Sequence, residues 1–350
     1  MKSSPRTLII AEAGVNHNGE LALAHQLIDA AKAAGADVVK FQSFVSELLV
    51  SSTAPKAAYQ HQGDTQGDTK GETQYAMLKR LELSPEAHTA LQAHCQQVGL
   101  AFLSTPFDAQ SIQLLKTLGL TRVKIGSGDL TNTPYLQQIA RTFESVILST
   151  GMATLGEIEQ ALQTLENHGL CRSNITLLHA NSAYPTPLND VHLHAMQTLK
   201  TAFGCAVGYS DHTVGTTVPI AAVALGATVI EKHLTLDTTL PGPDHAASAT
   251  PEVFTAMVQG IREVELALGS PLKQPTPSEL ENRPVARKGM VALRPIAAGE
   301  RLSDANVTTR RPEAEGLPAH QWDAVLGGLA TQAYHAGDPI VGYTREDAAQ

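Results

Sequence analysis

The sequence predicts a (β/α)8 barrel followed by a small C-terminal domain. Eight short, nearly continuous apolar runs alternate with amphipathic stretches, which is typical of parallel strands buried on both faces. The count closes at eight, and 350 residues are enough for a barrel and a further small domain. An open, doubly wound sheet has the same local alternation and remains the alternative.

The predicted strands are separated by stretches with helical periodicity. In the first of these stretches, apolar residues recur at Leu23, Leu27 and Ala31, and Gly35 ends the helix. The predicted strands span 7–13, 37–42, 100–105, 122–126, 145–150, 175–180, 205–210 and 227–235. The predicted helices span 21–34, 85–98, 109–118, 134–143, 155–168, 191–203, 216–225 and 251–269.

Two regions interrupt this alternation. The loop at 43–83 is long and contains a Gly-Asp/Glu-Thr repeat at 63–73, and loops of this length are usually functional lids or disordered. Residues 270–284 are polar, contain four prolines and indicate a linker. Short strand-like runs and turn signals follow. The predicted organisation is therefore a catalytic barrel at 1–269, a linker at 270–284 and a second domain at 285–350.

Composition excludes several classes of protein. Lys and Arg number 25 against 34 Asp and Glu, and the net charge of −9 argues against a nucleic-acid or basic membrane-surface protein. No apolar run approaches the roughly 18–20 residues of a membrane span. Cys95, Cys171 and Cys205 lie far apart, which predicts a reducing cytoplasm without a disulfide framework or a thiolate zinc site.

Polar or ionisable residues end all eight predicted strands. Catalytic groups of such barrels lie at the carboxyl ends of the strands, and buried polar groups need partners, so this set predicts a polar pocket. The set comprises Glu12, Lys40, Gln42, Ser104, Thr105, Lys124, Ser127, Asp129, Ser149, His179, Asn181, Ser182, Ser210, Asp211, His212, Glu231, Lys232 and His233.

The chemistry of this set indicates an anionic substrate and a metal ion. Two lysines, several hydroxyls and Gly-rich turns suit a phosphate and a carboxylate. His212 and His233 lie on adjacent strand ends, where neutral imidazoles can hold one divalent ion. Two histidines without thiolates favour an open Mn²⁺ or Mg²⁺ site over a closed zinc site. Glu12 and Asp129 are candidate acid–base or hydroxyl-binding groups. The residues alone therefore predict a metal-assisted enzyme for a small phosphorylated substrate.

Ordered motifs along the chain are more specific than composition. They read AEAGVNHNG (11–19), VKFQSF (39–44), FLSTPFD (102–108), KIGSGDLTN (124–132), ILSTGMATLGEIE (147–159), VGYSDHT (207–213), VIEKHLTLD (229–237) and GPDHAAS (242–248). The chain resembles the bacterial sialic acid synthase family, of the N-acetylneuraminate or N,N'-diacetyllegionaminate synthase type. In the tail, ARKGMVALRPIAAGERL (286–302) and RRP (310–312) resemble the antifreeze-protein-like SAF domain of that family.

The resemblance implies a condensation of phosphoenolpyruvate with an N-acylated mannosamine-type sugar. It implies a metal, held by His212 and His233, that polarises the aldehyde of the open-chain sugar. C3 of phosphoenolpyruvate attacks that carbon, water captures C2, and phosphate leaves by C–O cleavage. The residues that hold phosphoenolpyruvate by resemblance are Lys40, Lys124, Ser127, Ser149, Ser210 and Thr105.

The resemblance also assigns the sugar and the assembly. Glu12 and Asp129 face the sugar hydroxyls with Tyr184 nearby, and Asp244 supports the sugar or a metal-bound water. In this family the tail domain of one subunit covers the barrel of its partner, and the arginine that matches Arg311 reaches the N-acyl group. A domain-swapped cytoplasmic homodimer is therefore expected. The remaining strand-end groups predicted to bind substrate are Gln42, Ser104, Asn181 and Ser182.

The exact substrate stays open at this stage. N-acetylmannosamine and the 2,4-diacetamido-trideoxy sugars of legionaminic acid synthesis both suit the motifs, with a pseudaminic-type sugar as a further alternative. A related synthase acting on another aldose, such as a sugar phosphate, would need additional basic residues. A barrel that binds sugars or anions without catalysis is the non-enzymatic alternative.

Overall fold

Eight parallel strands form the sheet of the first unit of this computed structural model, which describes residues 6–56, 72–311 and 314–345. The strands are β1 (Leu8–Gly14), β2 (Val38–Ser43), β3 (Ala101–Pro106), β4 (Arg122–Ile125), β5 (Ser145–Ser149), β6 (Ile175–Ala180), β7 (Ala206–Asp211) and β8 (Val229–His233). Their order is β3-β2-β1-β8-β7-β6-β5-β4, and the terminal strands β3 and β4 pack against each other. The sheet therefore nearly closes into a barrel.

Helices follow the strands and complete the predicted (β/α)8 barrel, which is confirmed. Within the described ranges, this unit contains α1 (Leu21–Ala33), α2 (Ser46–Leu49), α3 (Gln74–Leu81), α4 (Pro85–Val98), α5 (Ala109–Thr117), α6 (Thr133–Thr142), α7 (Leu155–Asn167), α8 (Ala195–Phe203), α9 (Thr217–Ala224) and α10 (Pro251–Leu268). Two of them, α2 and α3, lie in the segment that the sequence predicts only as a long loop. Most of the Gly-Asp/Glu-Thr repeat lies outside the described residues.

Short-range signals explain where the helices begin and end. The Ser84 side chain accepts from the first turn of α4, Pro85 occupies the first helical position, and Gly99 ends the helix at a φ of +67°. Helix α7 begins with a capping box in which Thr154 and Glu157 exchange hydrogen bonds. Each signal satisfies backbone groups that a helix end leaves unpaired.

The barrel interior consists of an apolar floor and a polar layer above it. The inward-facing residues Ile10, Val38, Leu103, Ile147, Leu178 and Val229 form one buried cluster. Side chains alternate between the two faces of a strand, so the residues two positions further along also point inward. Those residues include Glu12, Lys40, Thr105, Ser149 and Glu231. The floor therefore closes the barrel below a polar site at the carboxyl ends of the strands.

Gly208 on β7 is required by the close packing of this floor. A Cβ atom at this position would lie 2.4 Å from the Val229 carbonyl oxygen and 2.6 Å from a methyl carbon of Leu178. Both distances are shorter than a van der Waals contact. A larger residue would therefore push β8 or β6 away from β7 and disturb the polar layer above.

The chain divides at Gly269 and Ser270 into two compact units. The second unit contains the antiparallel pairs β9 (Gly289–Ala292) with β10 (Val307–Arg310) and β11 (Leu329–Ala330) with β12 (Tyr343–Thr344), and the short helix α12 (Trp322–Val325). Its buried core includes Met290, Leu302 and Ile340. The prediction of a small β-rich C-terminal domain is confirmed.

A helix, α11 (Pro277–Ala286), occupies much of the segment 270–284 that the sequence predicts as a linker. Thr276 and Glu279 form a capping box, and Pro277 occupies the first turn, where a proline is compatible with a helix. Its residues are exposed. The proline content therefore indicated a helix start as much as an irregular linker.

Candidate active site

Two lysines and two glutamates occupy the centre of the barrel at the carboxyl ends of the strands, and all four are buried. The Lys40 ammonium lies 2.5 Å from the Glu12 carboxylate and 3.7 Å from that of Glu231. The Lys124 ammonium lies 3.2 Å from Glu231. Because each charge has an opposite charge beside it, the four groups tolerate a burial that an isolated ion would not.

The two glutamates differ in their protonation. Burial acts to raise the pKa of Glu231, but the charges of Lys124 and Lys40 outweigh it and lower this pKa to about 2. Burial raises the pKa of Glu12 to about 7, against the opposing charge of Lys40. Glu231 is therefore a fixed anion, whereas Glu12 can hold or release a proton near neutral pH.

Hydroxyl groups surround the lysines. The Lys40 ammonium donates to the Thr105 hydroxyl at 3.1 Å, and the Ser210 hydroxyl donates to Glu231 at 2.8 Å. The Ser149 hydroxyl is buried and has no hydrogen-bond partner in the described part of the chain. Ammonium groups beside convergent hydroxyls suit the oxygens of a phosphate or carboxylate.

His212 and His233 lie at the neighbouring ends of β7 and β8. Their ring centroids are 5.6 Å apart with an interplanar angle of 55°. The ring of Tyr184 contacts both, with centroid distances of 4.0 Å to His212 and 5.7 Å to His233. The two imidazoles therefore face a common space.

The surroundings of the two imidazoles keep them neutral. Burial lowers the pKa of His212 to about 4 and that of His233 well below its ordinary value. His212 Nδ1 lies 2.6 Å from the Asn181 carbonyl oxygen, which only accepts, so Nδ1 carries the proton and Nε2 presents a lone pair. The buried His233 Nδ1 has no hydrogen-bond partner among the described residues and lies 3.8 Å from the Asp244 carboxylate.

These features fit a pair of metal ligands. One imidazole is oriented by a backbone carbonyl, as metal-ligating histidines usually are, and the other has an unsatisfied ring nitrogen. No cluster of three or more His, Cys, Asp or Glu side chains suitable for a metal occurs in residues 6–56, 72–311 and 314–345. An ion held by His212 and His233 would therefore take its other ligands from water or substrate oxygens.

A cavity of about 540 Å³ opens onto the two lysines, the two glutamates and the two histidines. Gln42 donates to Glu12 at 3.3 Å at its edge, and Ser127 accepts from the Gly151 backbone N–H at 3.0 Å. The predicted site residues that line it are Glu12, Lys40, Gln42, Thr105, Lys124, Ser127, Ser149, Ser182, Tyr184, Ser210, His212 and His233.

The other predicted site residues of the barrel lie around this cavity without lining it. Ser104 alternates with Thr105 and faces the opposite side of β3, where its hydroxyl donates to the Phe41 carbonyl. Asp129 is half-buried, accepts from Asn132 at 3.1 Å, and has a pKa raised by burial. Their side chains are thus engaged in the barrel wall and in the turn after β4.

The three remaining predicted residues lie in different surroundings. The Asn181 side chain donates to a backbone carbonyl of its own loop, and the Asn181 backbone carbonyl accepts from His212 Nδ1. Asp244 is buried beside His233, and burial raises its pKa to about 6. Arg311 belongs to the second unit, where it donates to the Ala286 carbonyl at 3.2 Å. Pro312, from the RRP motif, lies outside the described residues.

Glu231 is the central acid to which sequence reasoning assigned no role. It belongs to the polar strand ends, but its contacts with both lysines were not foreseen. The signal was strand alternation: Glu231 precedes His233 by two residues and pairs in register with Ser210, so all three face inward.

An apolar wall also lines the cavity and was not predicted. We use this name for the cavity-lining residues Leu49, Val50, Leu78, Phe107 and Met152. Three of them come from the long segment after β2, whose helices the sequence did not reveal. The cavity therefore combines a charged floor with a side suited to methyl groups.

None of the helices in the described part of the chain has the length and apolar character needed to cross a bilayer.

Comparison with protein families matches the NeuB family over residues 27–273 and the SAF domain over residues 287–342. The chain belongs to the NeuB family. The expected resemblance to sialic acid synthases with a C-terminal SAF domain is confirmed.

Individual relatives agree with this assignment. The NeuB-family chain is 50% identical over 335 residues to the N,N'-diacetyllegionaminic acid synthase of Campylobacter jejuni, covering 96% of this chain and 99% of the relative. It is 45% identical over 341 residues to the enzyme of the same name from Legionella pneumophila, covering 97% and 94%. The predicted enzyme class, a synthase of nonulosonic acids, is confirmed.

A solved structure supports the fold. The N-acetylneuraminic acid synthetase of Leptospira borgpetersenii superimposes with a TM-score of 0.68 and 35% sequence identity, over 79% of this chain and 90% of that one. The similarity extends across most of both chains.

Proposed function

We propose that this NeuB-family chain condenses phosphoenolpyruvate with a 2,4-diacetamido-2,4,6-trideoxymannose-type sugar, giving an N,N'-diacetyllegionaminate-type product and phosphate. The observation that carries the proposal is the buried constellation of two lysines and two glutamates beside two neutral imidazoles. It offers cations and hydroxyls to an anion, and a ligand pair to an ion, in one cavity. The two legionaminic acid synthases among the relatives support this choice of sugar.

The phosphoenolpyruvate subsite is formed by Lys40, Lys124 and the hydroxyls around them. The unpartnered Ser149 hydroxyl supports this assignment, because a buried polar group without a protein partner suits a ligand atom. Glu231, which accepts from the Ser210 hydroxyl, holds both lysines in place through its charge. The anion then meets cations that need no reorganisation.

The reaction forms one C–C bond and replaces the C2–O bond to phosphate with a C2–O bond to the oxygen of water. C3 of phosphoenolpyruvate attacks the sugar aldehyde carbon, and the aldehyde oxygen takes up a proton. Water adds to C2, and one of its protons balances the proton that the aldehyde oxygen takes up. Phosphate then departs with the C2–O bond pair and the second proton, and C2 becomes a ketone. When bound by His212 and His233, Mn²⁺ or Mg²⁺ supplies polarisation of the aldehyde oxygen. Burial raises the pKa of Glu12 to about 7, which supports a role for this carboxyl in exchanging protons with the sugar oxygens.

The apolar wall favours a deoxy, doubly acetylated sugar over N-acetylmannosamine. Such a sugar has a methyl group where N-acetylmannosamine has a hydroxymethyl, and a second acetamido group in place of a hydroxyl. Placing an unpaired hydroxyl against apolar side chains costs about 1–3 kcal/mol. The wall of leucines, valine, methionine and phenylalanine therefore rewards the methyl-bearing substrate.

The proposed assembly is a domain-swapped homodimer, in which Arg311 of one subunit reaches the sugar N-acyl group in the other. Exposed apolar residues in the loops after β2, β5, β6 and β7 support a covered rim at this end of the barrel. Leu48, Met152, Leu188 and Val214 are 51%, 75%, 71% and 81% exposed, respectively. The grouping of several exposed apolar side chains at one end of the barrel supports a surface that another protein covers. A second copy of this chain is the partner that we propose.

The proposed location is the cytoplasm, where phosphoenolpyruvate is made. The structure describes Cys95, Cys171 and Cys205 as free thiols, which suits a reducing compartment. The net charge of −9 gives no support to a nucleic-acid partner.

Product mass spectrometry tests the choice of sugar. The purified chain, phosphoenolpyruvate and Mn²⁺ are mixed with equal amounts of N-acetylmannosamine and the two stereoisomeric 2,4-diacetamido-trideoxy sugars of the legionaminic and pseudaminic series. In the mixture we expect mainly the mass of the diacetylated acid. When each sugar is offered alone, we expect this acid to form from the legionaminic-type sugar. Exclusive use of N-acetylmannosamine would contradict the sugar assignment, and no phosphate release with any sugar would contradict the proposed reaction.

A further inference from the structure

A second buried ion pair lies next to the two histidines in the chain. Asp211 directly precedes His212, and Lys232 directly precedes His233. The two residues pair in register between β7 and β8, and their charged groups are 2.6 Å apart. Both are at most 3% exposed.

The same ammonium also holds the turn that follows β7. Lys232 donates to the Thr213 carbonyl oxygen at 2.6 Å. The second carboxylate oxygen of Asp211 accepts from the Thr213 backbone N–H at 3.0 Å and from its hydroxyl at 2.8 Å. Lys232, which precedes His233, therefore donates to both chain neighbours of His212, Asp211 and Thr213.

The pair lies on the outer face of the barrel wall and not in the cavity. Tyr209 on β7 and Ile230 on β8 pack in the cluster between the sheet and its helices. Alternation places Asp211 and Lys232 on that face as well, and neither residue lines the cavity. The pair thus cannot contact a substrate there, and any effect on the reaction passes through the strand ends.

Stability alone gives a poor account of this pair. Burial of two charges costs several kcal/mol per ion, and apolar residues of similar size often stabilise a protein as well or better. An ion pair can also fix local geometry. Here the Lys232 ammonium holds two acceptors, Asp211 and the Thr213 carbonyl, at set distances and angles. This geometry is fixed at the residues that directly precede His212 and His233.

We propose that Asp211 and Lys232 are positioning residues that set the separation and orientation of His212 and His233 for one divalent ion. The proposal rests on the metal site of the proposed function. The tie between the strands keeps the two imidazoles converged before the ion arrives. An ion then binds a prepared pair of nitrogens instead of ordering two independent loops.

The test is a titration of the full-length chain with Mn²⁺. The concentration of free Mn²⁺ is measured from its electron paramagnetic resonance signal. The deciding variant combines Asp211→Asn with Lys232→Met. The introduced amide oxygen still accepts from the Thr213 backbone N–H and hydroxyl, so these bonds of the local turn are kept. The tie between the strands is lost, together with the Lys232 bond to the Thr213 carbonyl. Lys232→Met alone leaves a buried carboxylate unpaired and serves only as a comparison. We expect the double variant to fold, with a Kd for Mn²⁺ raised about tenfold or more.

Two controls separate the possible outcomes. Arg262→Met removes a different ion pair, with Asp37 before β2, and should leave Mn²⁺ affinity unchanged. His233→Ala should abolish tight Mn²⁺ binding. If His233→Ala weakens binding but the double variant stays within twofold of the parent, the positioning role is overturned and the metal site stands. If His233→Ala has no effect, the metal site fails and this inference fails with it. Failure of the double variant to fold would assign the pair to stability and also overturn the positioning role.

Discussion

The Lys124 ammonium lies 3.2 Å from the Glu231 carboxylate at the centre of the barrel, where both side chains are almost completely buried. Glu231 also approaches Lys40 and accepts from Ser210. One carboxylate therefore organises both cations of the proposed phosphoenolpyruvate subsite.

Glu231→Gln should lower kcat/KM for phosphoenolpyruvate by about a hundredfold. Removal of one charge from a buried pair leaves the other uncompensated, at a cost of roughly 3–5 kcal/mol, so Lys124 and Lys40 should shift from their positions. Steady-state phosphate release measures the loss. Glu265→Gln, which alters the Arg262 ion pair away from the cavity, is the control and should retain parental kinetics. Parental kcat/KM in Glu231→Gln would show that Glu231 does not organise the subsite.

Ser149→Ala should raise the KM for phosphoenolpyruvate about tenfold with little change in the free energy of unfolding. Its hydroxyl has no protein partner among the described residues, so its removal breaks no bond in the free enzyme, whereas a bond to a charged ligand is worth about 1.5–3 kcal/mol. Thr150→Val is the matched control, because that hydroxyl donates to the Leu178 carbonyl. It should lower the unfolding free energy by about 1 kcal/mol and leave KM unchanged. The reverse pattern would rule out Ser149 as a ligand-binding group.

His212→Ala and His233→Ala should each abolish turnover that depends on added Mn²⁺, and chelation by EDTA should do the same to the parent. Both imidazoles are neutral and face one space, so we expect them to bind the same ion. One imidazole alone should not hold an ion whose remaining ligands are water or substrate oxygens. His168→Ala, at the end of a helix on the barrel exterior, is the control. Undiminished phosphate release by either site variant would remove the metal from the mechanism.

Stability should fall as the pH is lowered below about 6.5, with His17 as one cause. Burial, together with His88 and His245, lowers the pKa of His17 to about 4, so the native state holds it neutral. Its Nδ1 already accepts from the Gly19 backbone N–H, which hinders a second proton. The unfolded chain binds that proton more readily, so protons favour unfolding.

The contribution of His17 to this loss is about 2 kcal/mol between roughly pH 7 and pH 5. Urea unfolding followed by far-UV circular dichroism at the two pH values measures it. His17→Gln should show a smaller decrease, and the exposed His192→Asn should match the parent. Equal decreases in all three proteins would exclude His17 as a source of the acid sensitivity.

The polar strand ends were predictable because strand alternation and the barrel topology together fix which residues meet. Glu12, Lys40, Lys124 and the two histidines follow from that rule. Strand alternation does not predict which side chains touch. Whether the Glu231 carboxylate reaches both lysines depends on small differences in distance inside the barrel. The apolar wall was also missed, because helices α2 and α3 are short and lie in a segment with weak periodicity.

Two full-length variants test the proposed swapped dimer together. His233→Ala inactivates the barrel of a subunit but leaves its C-terminal domain intact, whereas Arg311→Ala alters the C-terminal domain but leaves the barrel intact. Each homodimer should be nearly inactive. In a swapped heterodimer, the intact barrel of the Arg311→Ala subunit receives an intact arginine from its partner, so co-expression should restore a measurable fraction of activity.

The heterodimer is isolated with two different affinity tags, and phosphate release is compared with that of each homodimer. Mixtures of the purified homodimers that do not exchange subunits serve as the control and should stay inactive. If Arg311 acted on the barrel of its own subunit, no combination of these variants would place an intact arginine beside an intact barrel. A heterodimer as inactive as both parents would therefore reject the exchange of domains between subunits.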